Sequence, residues 1–147
     1  MTTLTIAQLK RCLRGEISAA ETYKMAMDKL RRDDHGAEVE RLRALQRRHG
    51  VAAQQIRERI VALGGEADDN SGAWGSFARG VQGVADLFGD TAALKSLKEG
   101  EEHGLHVYAE ILADTTALDP ASRSLIDRLH EQQRRCVEEV DALMASV

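Results

Sequence analysis

Two sets of polar side chains stand where a helical chain should present oil. The first half carries Gly15-Glu16, then Tyr23, then Gln46-x-x-His49. The second half carries Gly100-Glu101, then Tyr108, then Gln133-x-x-Cys136. Glu16 to Glu101 and Tyr23 to Tyr108 are each 85 positions apart, while Gln46 to Gln133 and His49 to Cys136 are each 87 apart. Residues three apart on a helix share a face, so an imidazole or thiol and its glutamine partner converge on one axial level. Helical bundles that hold two metal ions use one Glu from each of two helices and Glu-x-x-His from each of the other two. Carboxylates bridge and neutralise the cations, and imidazole nitrogens complete the coordination shells.

This chain fills that pattern in part. Glu16 and Glu101 stand at the two single-Glu positions, and His49 at one imidazole position. Gln46 and Gln133 replace both bridging carboxylates, and Cys136 replaces the second imidazole. A glutamine oxygen is neutral and bridges poorly, so the site offers about two formal negative charges where the full pattern offers about four. A Cys136 thiolate would favour zinc over an oxygen-rich iron pair.

The elements that must position these residues follow from apolar spacing. Helix one, over about 5–32, reads Ile6, Leu9, Leu13, (Glu16), Ala20, (Tyr23), Met27, Leu30, with Thr5 as N-cap and Gln8 in capping-box relation. Asp33-Asp34 form a turn and offer a cap to helix two, over about 35–63: Val39, Leu42, (Gln46), (His49), Ala53, Ile56, Ile60, Leu63. Gly64-Gly65 end it, glycine taking up the left-handed conformation. Helix three, over about 91–114, reads Leu94, Leu97, (Glu101), (Gly104), (Tyr108), Ile111. Asp119-Pro120 open helix four, over about 120–146: Ile126, Leu129, (Gln133), (Cys136), Val140, Leu143. Alternating threes and fours mark core-facing helices of a bundle.

Between Gly65 and Asp90, the residues Trp74, Phe77, Val81, Val84 and Phe88 predict a short amphipathic helix over about 73–88. Such a connection carries the chain back along the bundle and makes helices two and three parallel. The expectation is one all-α domain over 1–147, a ferritin-like four-helix bundle with a long crossover between helices two and three.

The ordered set Gly15-Glu16, Leu63-Gly64-Gly65, Trp74 to Phe88, Gly100-Glu101 with Tyr108, and the closing helix through Gln133 resembles the ferritin and bacterioferritin superfamily. More closely, it resembles the bacterial ferritin-like family known as domain of unknown function 2383. The resemblance spans nearly the whole chain. It implies the fold and leaves the activity open.

Three readings of the polar seam stand side by side. In the first, Glu16 bonds His49, and Glu101 bonds Gln133 or Gln46, giving a satisfied layer that fixes helix register. In the second, Glu16, His49, Glu101 and Cys136 bind metal, with Gln46, Gln133, Tyr23 and Tyr108 behind them; iron and zinc are the candidates. The third is ferroxidase-type redox chemistry linked to iron or oxidative-stress handling. The first is the main expectation, so an enzyme is not the primary one. Tyr23 and Tyr108 read as core aromatics with bonded hydroxyls, and Cys12 as a small buried hydrophobe. His103, His106, His35 and His130 read as surface residues, and Glu21 and Glu102 as fallback ligands. Gly15 and Gly100, costly inside helices, point to close helix approach or room for a ligand.

Composition limits the partners. The 147 residues include one proline, 43% hydrophobic and 30% charged residues, which favours helix over sheet. The net charge of -4 leaves no polyanion partner in view, since Arg41, Arg43, Arg47 and Arg48 lie among Glu38, Glu40 and Glu58. No apolar run approaches the ~18 residues of a membrane span. Met1 to Leu13 lacks the pattern of a secretion signal, and two distant cysteines make no disulfide framework. The expectation is a cytoplasmic protein without nucleic-acid or membrane partners. The Trp74 to Phe88 face would cover either its own bundle end or a second copy, which leaves a homo-oligomer open.

Overall fold

The computed structural model describes residues 2–32, 35–67 and 90–146. The described residues form four helices: α1 Thr2–Arg32, α2 Gly36–Ala62, α3 Asp90–Ala113 and α4 Pro120–Ser146. The apolar seams turn inward as their spacing requires. Leu9, Leu13, Met27 and Leu30 of α1 are buried, as are Val39, Leu42, Ile56 and Ile60 of α2. So are Leu94, Leu97 and Ile111 of α3, and Ile126, Leu129, Val140 and Leu143 of α4. The chain is an all-α four-helix bundle.

The ends of the helices explain themselves locally, with one correction. Thr5 is not an N-cap, because α1 begins three residues earlier at Thr2. Thr5 is buried inside the first turns, and its hydroxyl donates to the Ala117 carbonyl at 3.1 Å, tying α1 to the α3–α4 turn. A buried hydroxyl needs a partner, and a long-range carbonyl supplies it here. The N-cap residue of α2 is His35, with no side-chain capping bond; Asp33-Asp34 lie outside the described residues. At the far end Gly64 has φ +86°, the Gly64 N–H donates to Val61 O and the Gly65 N–H to Ile60 O, each at 2.9 Å. This double closure is the glycine-terminated helix stop expected there. Pro120 opens α4, with the Arg123 N–H donating to Asp119 O at 2.8 Å.

Cross-helix contacts fix the direction of each element. Thr5 meets Ala117, Arg11 meets Glu110 and Tyr23 meets Glu101, so α1 and α3 are antiparallel. Arg48 meets Glu139 and Arg59 meets Ser122, so α2 and α4 are antiparallel too. The hairpins α1–α2 and α3–α4 are antiparallel in turn, through Glu16–His49 with Gln46–Ala20 and through Glu101–Gln133 with Lys98–Asp141. Helices α2 and α3 therefore run parallel. The crossover helix expected over 73–88 lies outside the described residues.

The core divides into two apolar clusters. One gathers Leu9, Leu13, Ile56, Ile60, Ile111, Ile126 and Leu129; the other gathers Met27, Leu30, Leu42, Leu94, Leu97, Val140 and Leu143. Of the seam residues, Tyr108 belongs to the first cluster, and Tyr23 and Cys136 to the second. Among the described residues, no helix is long and apolar enough to cross a membrane.

Candidate metal centre

Glu16, His49 and Glu101 are 4%, 3% and 3% exposed, so two carboxylates and an imidazole are withdrawn together from bulk solvent. His49 lies between the acids. Its Nδ1 contacts Glu16 Oε2 at 2.6 Å, and its Nε2 contacts Glu101 Oε1 at 3.0 Å and Oε2 at 3.1 Å. A neutral imidazole carries one N–H, and serving two carboxylates needs two, so this geometry calls for the imidazolium. Burial pushes the His49 pKa down, but the charges of Glu101 and Glu16 outweigh it and hold the pKa well above the ordinary imidazole value.

Each carboxylate is also held by the tyrosine of the opposite half. The Tyr108 hydroxyl donates to Glu16 Oε1 in a short hydrogen bond, and the Tyr23 hydroxyl donates to Glu101 Oε2 at 3.1 Å. Burial and the adjacent carboxylates raise both phenol pKa values well above the ordinary range, so both remain donors. The order along the layer is Tyr108–Glu16–His49–Glu101–Tyr23.

The glutamines part company. Gln133 is buried, and its Nε2 donates to the Glu101 carbonyl at 2.9 Å and to Glu101 Oε1 at 3.3 Å. Gly104 makes room for it: a Cβ there would come within 2.9 Å of Gln133 Nε2. Gln46 is only part-buried and turns away, donating to the Ala20 carbonyl at 3.0 Å. Neither glutamine supplies a bridge between metal ions.

The donor set suits one metal ion rather than two. Two metals do not fit, since Gln133 presents its amide nitrogen to the layer and Gln46 bonds to the backbone. One metal does fit. Single donor atoms of His49, Glu101 and Cys136 all lie within 4.8 Å of one another, from three different helices. Glu16 falls outside this group and instead fixes the far nitrogen of His49, as carboxylates behind metal-binding imidazoles commonly do. Burial raises the Cys136 pKa against the lowering pull of His49. Cys12 is buried, and burial followed by the Glu16 charge pushes its pKa up to about 12.

The remaining sequence candidates lie elsewhere. Glu21, Glu102, His103 and His106 are exposed, and His35 and His130 half-buried. Gly15 and Gly100 line a cavity between α1 and α3, beside Ala19 and Gly104. Sequence reasoning missed two polar walls of that cavity, Ser18 and Thr22, of which Thr22 donates back to the Ser18 carbonyl at 2.8 Å. Their spacing of four, starting two residues after Glu16, was the available signal.

Fold and site together define an all-helical bundle with a buried carboxylate–imidazole–carboxylate layer. Residues 4–114 match the family described as Domain of unknown function (DUF2383), and the chain belongs to that family. The matched span ends before α4, so Gln133 and Cys136 lie beyond it. No curated protein and no solved structure matches the chain.

Proposed function

We propose that this protein is a metal-binding bundle whose polar layer holds one divalent cation on His49 Nε2, a Glu101 oxygen and the Cys136 sulfur. The observation that carries the reading is the convergence of those three donor atoms within 4.8 Å. A mixed nitrogen, oxygen and sulfur set suits zinc better than magnesium, calcium or a bridged iron pair. Zinc, when bound, supplies charge neutralisation and a cross-link between helices, without redox chemistry.

The chain's own residues prepare the site. Glu16 orients the imidazole through Nδ1, and Tyr108 fixes Glu16 in turn. Tyr23 and Gln133 hold Glu101. With His49 protonated, the two carboxylates exceed the imidazolium by one formal charge, a residual negative charge in a low-dielectric core. Binding one divalent cation displaces the His49 Nε2 proton and the Cys136 thiol proton together, so two protons leave and the layer keeps its single formal negative charge.

A second reading is favoured by its own observation: all four carboxylate oxygens and both ring nitrogens have partners. The layer then acts as a register device that keeps the four helices at one level. Ferroxidase-type iron chemistry is the weaker alternative, because no carboxylate stands at either glutamine position. A cytoplasmic site of action accords with two free, buried thiols.

Elemental analysis of protein purified without chelator, followed by cobalt(II) titration, tests the reading. The expected result is one equivalent of metal and a near-ultraviolet thiolate-to-cobalt band that Cys136→Ser removes. Absence of both metal and band leaves the register device as the function of the layer; a band that survives Cys136→Ser overturns the ligand set.

A further inference from the structure

The three converging donors leave the proposed site one ligand short. Structural zinc takes four protein ligands in a tetrahedron, and sites with three keep the fourth place for water or substrate. His49, Glu101 and Cys136 are all buried, which favours a fourth ligand from the chain itself. The neighbouring groups narrow quickly. Glu16 is taken, because it holds His49 at Nδ1, the nitrogen away from Glu101. Tyr23 gives its hydroxyl proton to Glu101 Oε2, and burial keeps the phenol neutral and a weak ligand. Gln46 is part-buried and bonded to the Ala20 carbonyl. Gln133 remains.

Gln133 is buried and lies three residues before Cys136 on α4, so the two side chains share a face. Its Nε2 stands 3.3 Å from Glu101 Oε1. Two ligand atoms at ~2.0–2.2 Å from one tetrahedral zinc are roughly 3.3–3.6 Å apart. The Gln133 amide therefore ends where a ligand atom beside Glu101 would sit, but the atom placed there is a donor. A half-turn about the last side-chain bond of glutamine, a soft and nearly two-fold torsion, exchanges Nε2 for Oε1. Gly104 leaves the amide room, since a Cβ there would come within 2.9 Å of Nε2 and 3.4 Å of the amide carbon.

We propose that Gln133 is the fourth ligand, an amide switch that donates its N–H to Glu101 in the metal-free protein and turns its oxygen to a bound divalent cation. The proposal rests on the metal-binding reading above and adds a ligand and a moving part to it. What lies between the two side chains selects the orientation. Without a cation, Oε1 turned to Glu101 would set oxygen against carboxylate oxygen, so the N–H orientation wins. A cation between them reverses that preference. Glutamine also suits the charge of the layer. A glutamate here would add a second uncompensated negative charge to a buried site, whereas the amide oxygen completes the shell without changing the charge.

Cobalt(II) titration of the metal-free protein against a competing chelator tests the switch. Gln133→Leu and Gln133→Ala are expected to weaken Kd by about tenfold or more, since even outer-shell losses cost ~10–100-fold. The alanine variant guards against a leucine variant that fails to fold. Gln133→Glu keeps an oxygen at that position and loses the N–H donor, so it is expected to bind at least as tightly as wild type. If Gln133 serves only to hold Glu101 through its N–H, Gln133→Glu weakens binding as the other two do, and that result overturns the proposal. An unchanged Kd in both Gln133→Leu and Gln133→Ala overturns it as well. A crystal structure of the zinc-loaded protein is expected to place Gln133 Oε1 about 2.0–2.2 Å from the ion; an amide still bonded to Glu101 there sinks the switch. Wild-type protein that binds no cobalt refutes the metal site itself, whereas normal wild-type binding indifferent to changes at Gln133 refutes the switch alone.

Discussion

The α1–α2 and α3–α4 hairpins bring a glutamate and a tyrosine each to the layer and then diverge, first at the glutamine and then at the last position. Each supplies a glutamate, and each tyrosine satisfies the other hairpin's glutamate. At the fourth position the first hairpin has an imidazole and the second a thiol. A second imidazole would have given each carboxylate its own cationic donor. With Cys136 there instead, His49 serves both Glu16 and Glu101, and the positive charge of the layer rests on one ring. The skeleton is two-fold; the electrostatics are not. The lesson is that equal spacing secures where groups meet, while one substitution decides which group the others depend on.

The largest effect should come from breaking the fourth positions in turn. His49→Leu leaves two buried carboxylates without their cation, and loss of one partner from a buried charge network costs about 3–5 kcal/mol. Cys136→Val, a near-isosteric apolar change, should cost less than about 1.5 kcal/mol. Urea unfolding of the metal-free proteins measures both, and equal costs would contradict the asymmetry. A pH series sharpens the point. His49 has a folded-state pKa raised above its ordinary 6.5, so the folded state binds the proton more tightly than the unfolded chain. The stability this supplies is complete below about pH 6.5 and is lost as pH rises through the raised folded value. Wild type should weaken across that alkaline window, and His49→Leu should lack this component of the slope.

Much of this layer is legible in the sequence. Glu16, His49, Glu101, Gln133 and Cys136 interrupt seams that are otherwise mostly apolar, and all five are buried. The Glu16–His49 and Glu101–Gln133 bonds follow from matching levels in adjacent helices. The tyrosine exchange was half-legible: Tyr23 lies seven residues, about 10 Å of rise, from the glutamate of its own helix. That distance sends its hydroxyl to another helix. Gln46 was not legible, because helical spacing sets axial level but not rotamer, and the Ala20 carbonyl of the neighbouring α1 competed for its amide. Thr5 misled for a related reason. Its position before an apolar run resembles a cap, but the partner of its hydroxyl, Ala117, lies 112 residues away.

A smaller effect separates the tyrosines. Glu16 Oε1 receives Tyr108, while Glu101 Oε2 receives both Tyr23 and His49. Tyr108→Phe therefore strips a carboxylate oxygen of its side-chain donor, and Tyr23→Phe leaves one in place. Both changes fall in the range of about 1–3 kcal/mol for buried polar groups left short of partners, with Tyr108→Phe the costlier. Thermal unfolding of the two variants side by side checks the order, and a reversed order would mean that Glu101 is the more dependent acid.

The smallest effect falls on the glutamines. Gln46 is part-buried and adds one bond to the Ala20 carbonyl, which lies within the regular α1 helix. Its replacement by leucine exposes no buried charge, so Gln46→Leu should cost under about 1 kcal/mol. Gln133→Leu removes a donor from Glu101 Oε1 and sets a branched methyl pair against the space that Gly104 leaves open. The loss there should reach about 1–2 kcal/mol, combining a weakened carboxylate with overpacking. Gln133→Glu separates these causes, since it keeps the volume and replaces the amide donor with a carboxylate. If repulsion from Glu101 governs, that variant is the least stable of the three at pH 7 and recovers when a divalent cation is added. If packing against Gly104 governs, Gln133→Glu stays close to wild type, and the second hairpin's glutamine is a spacer rather than a donor.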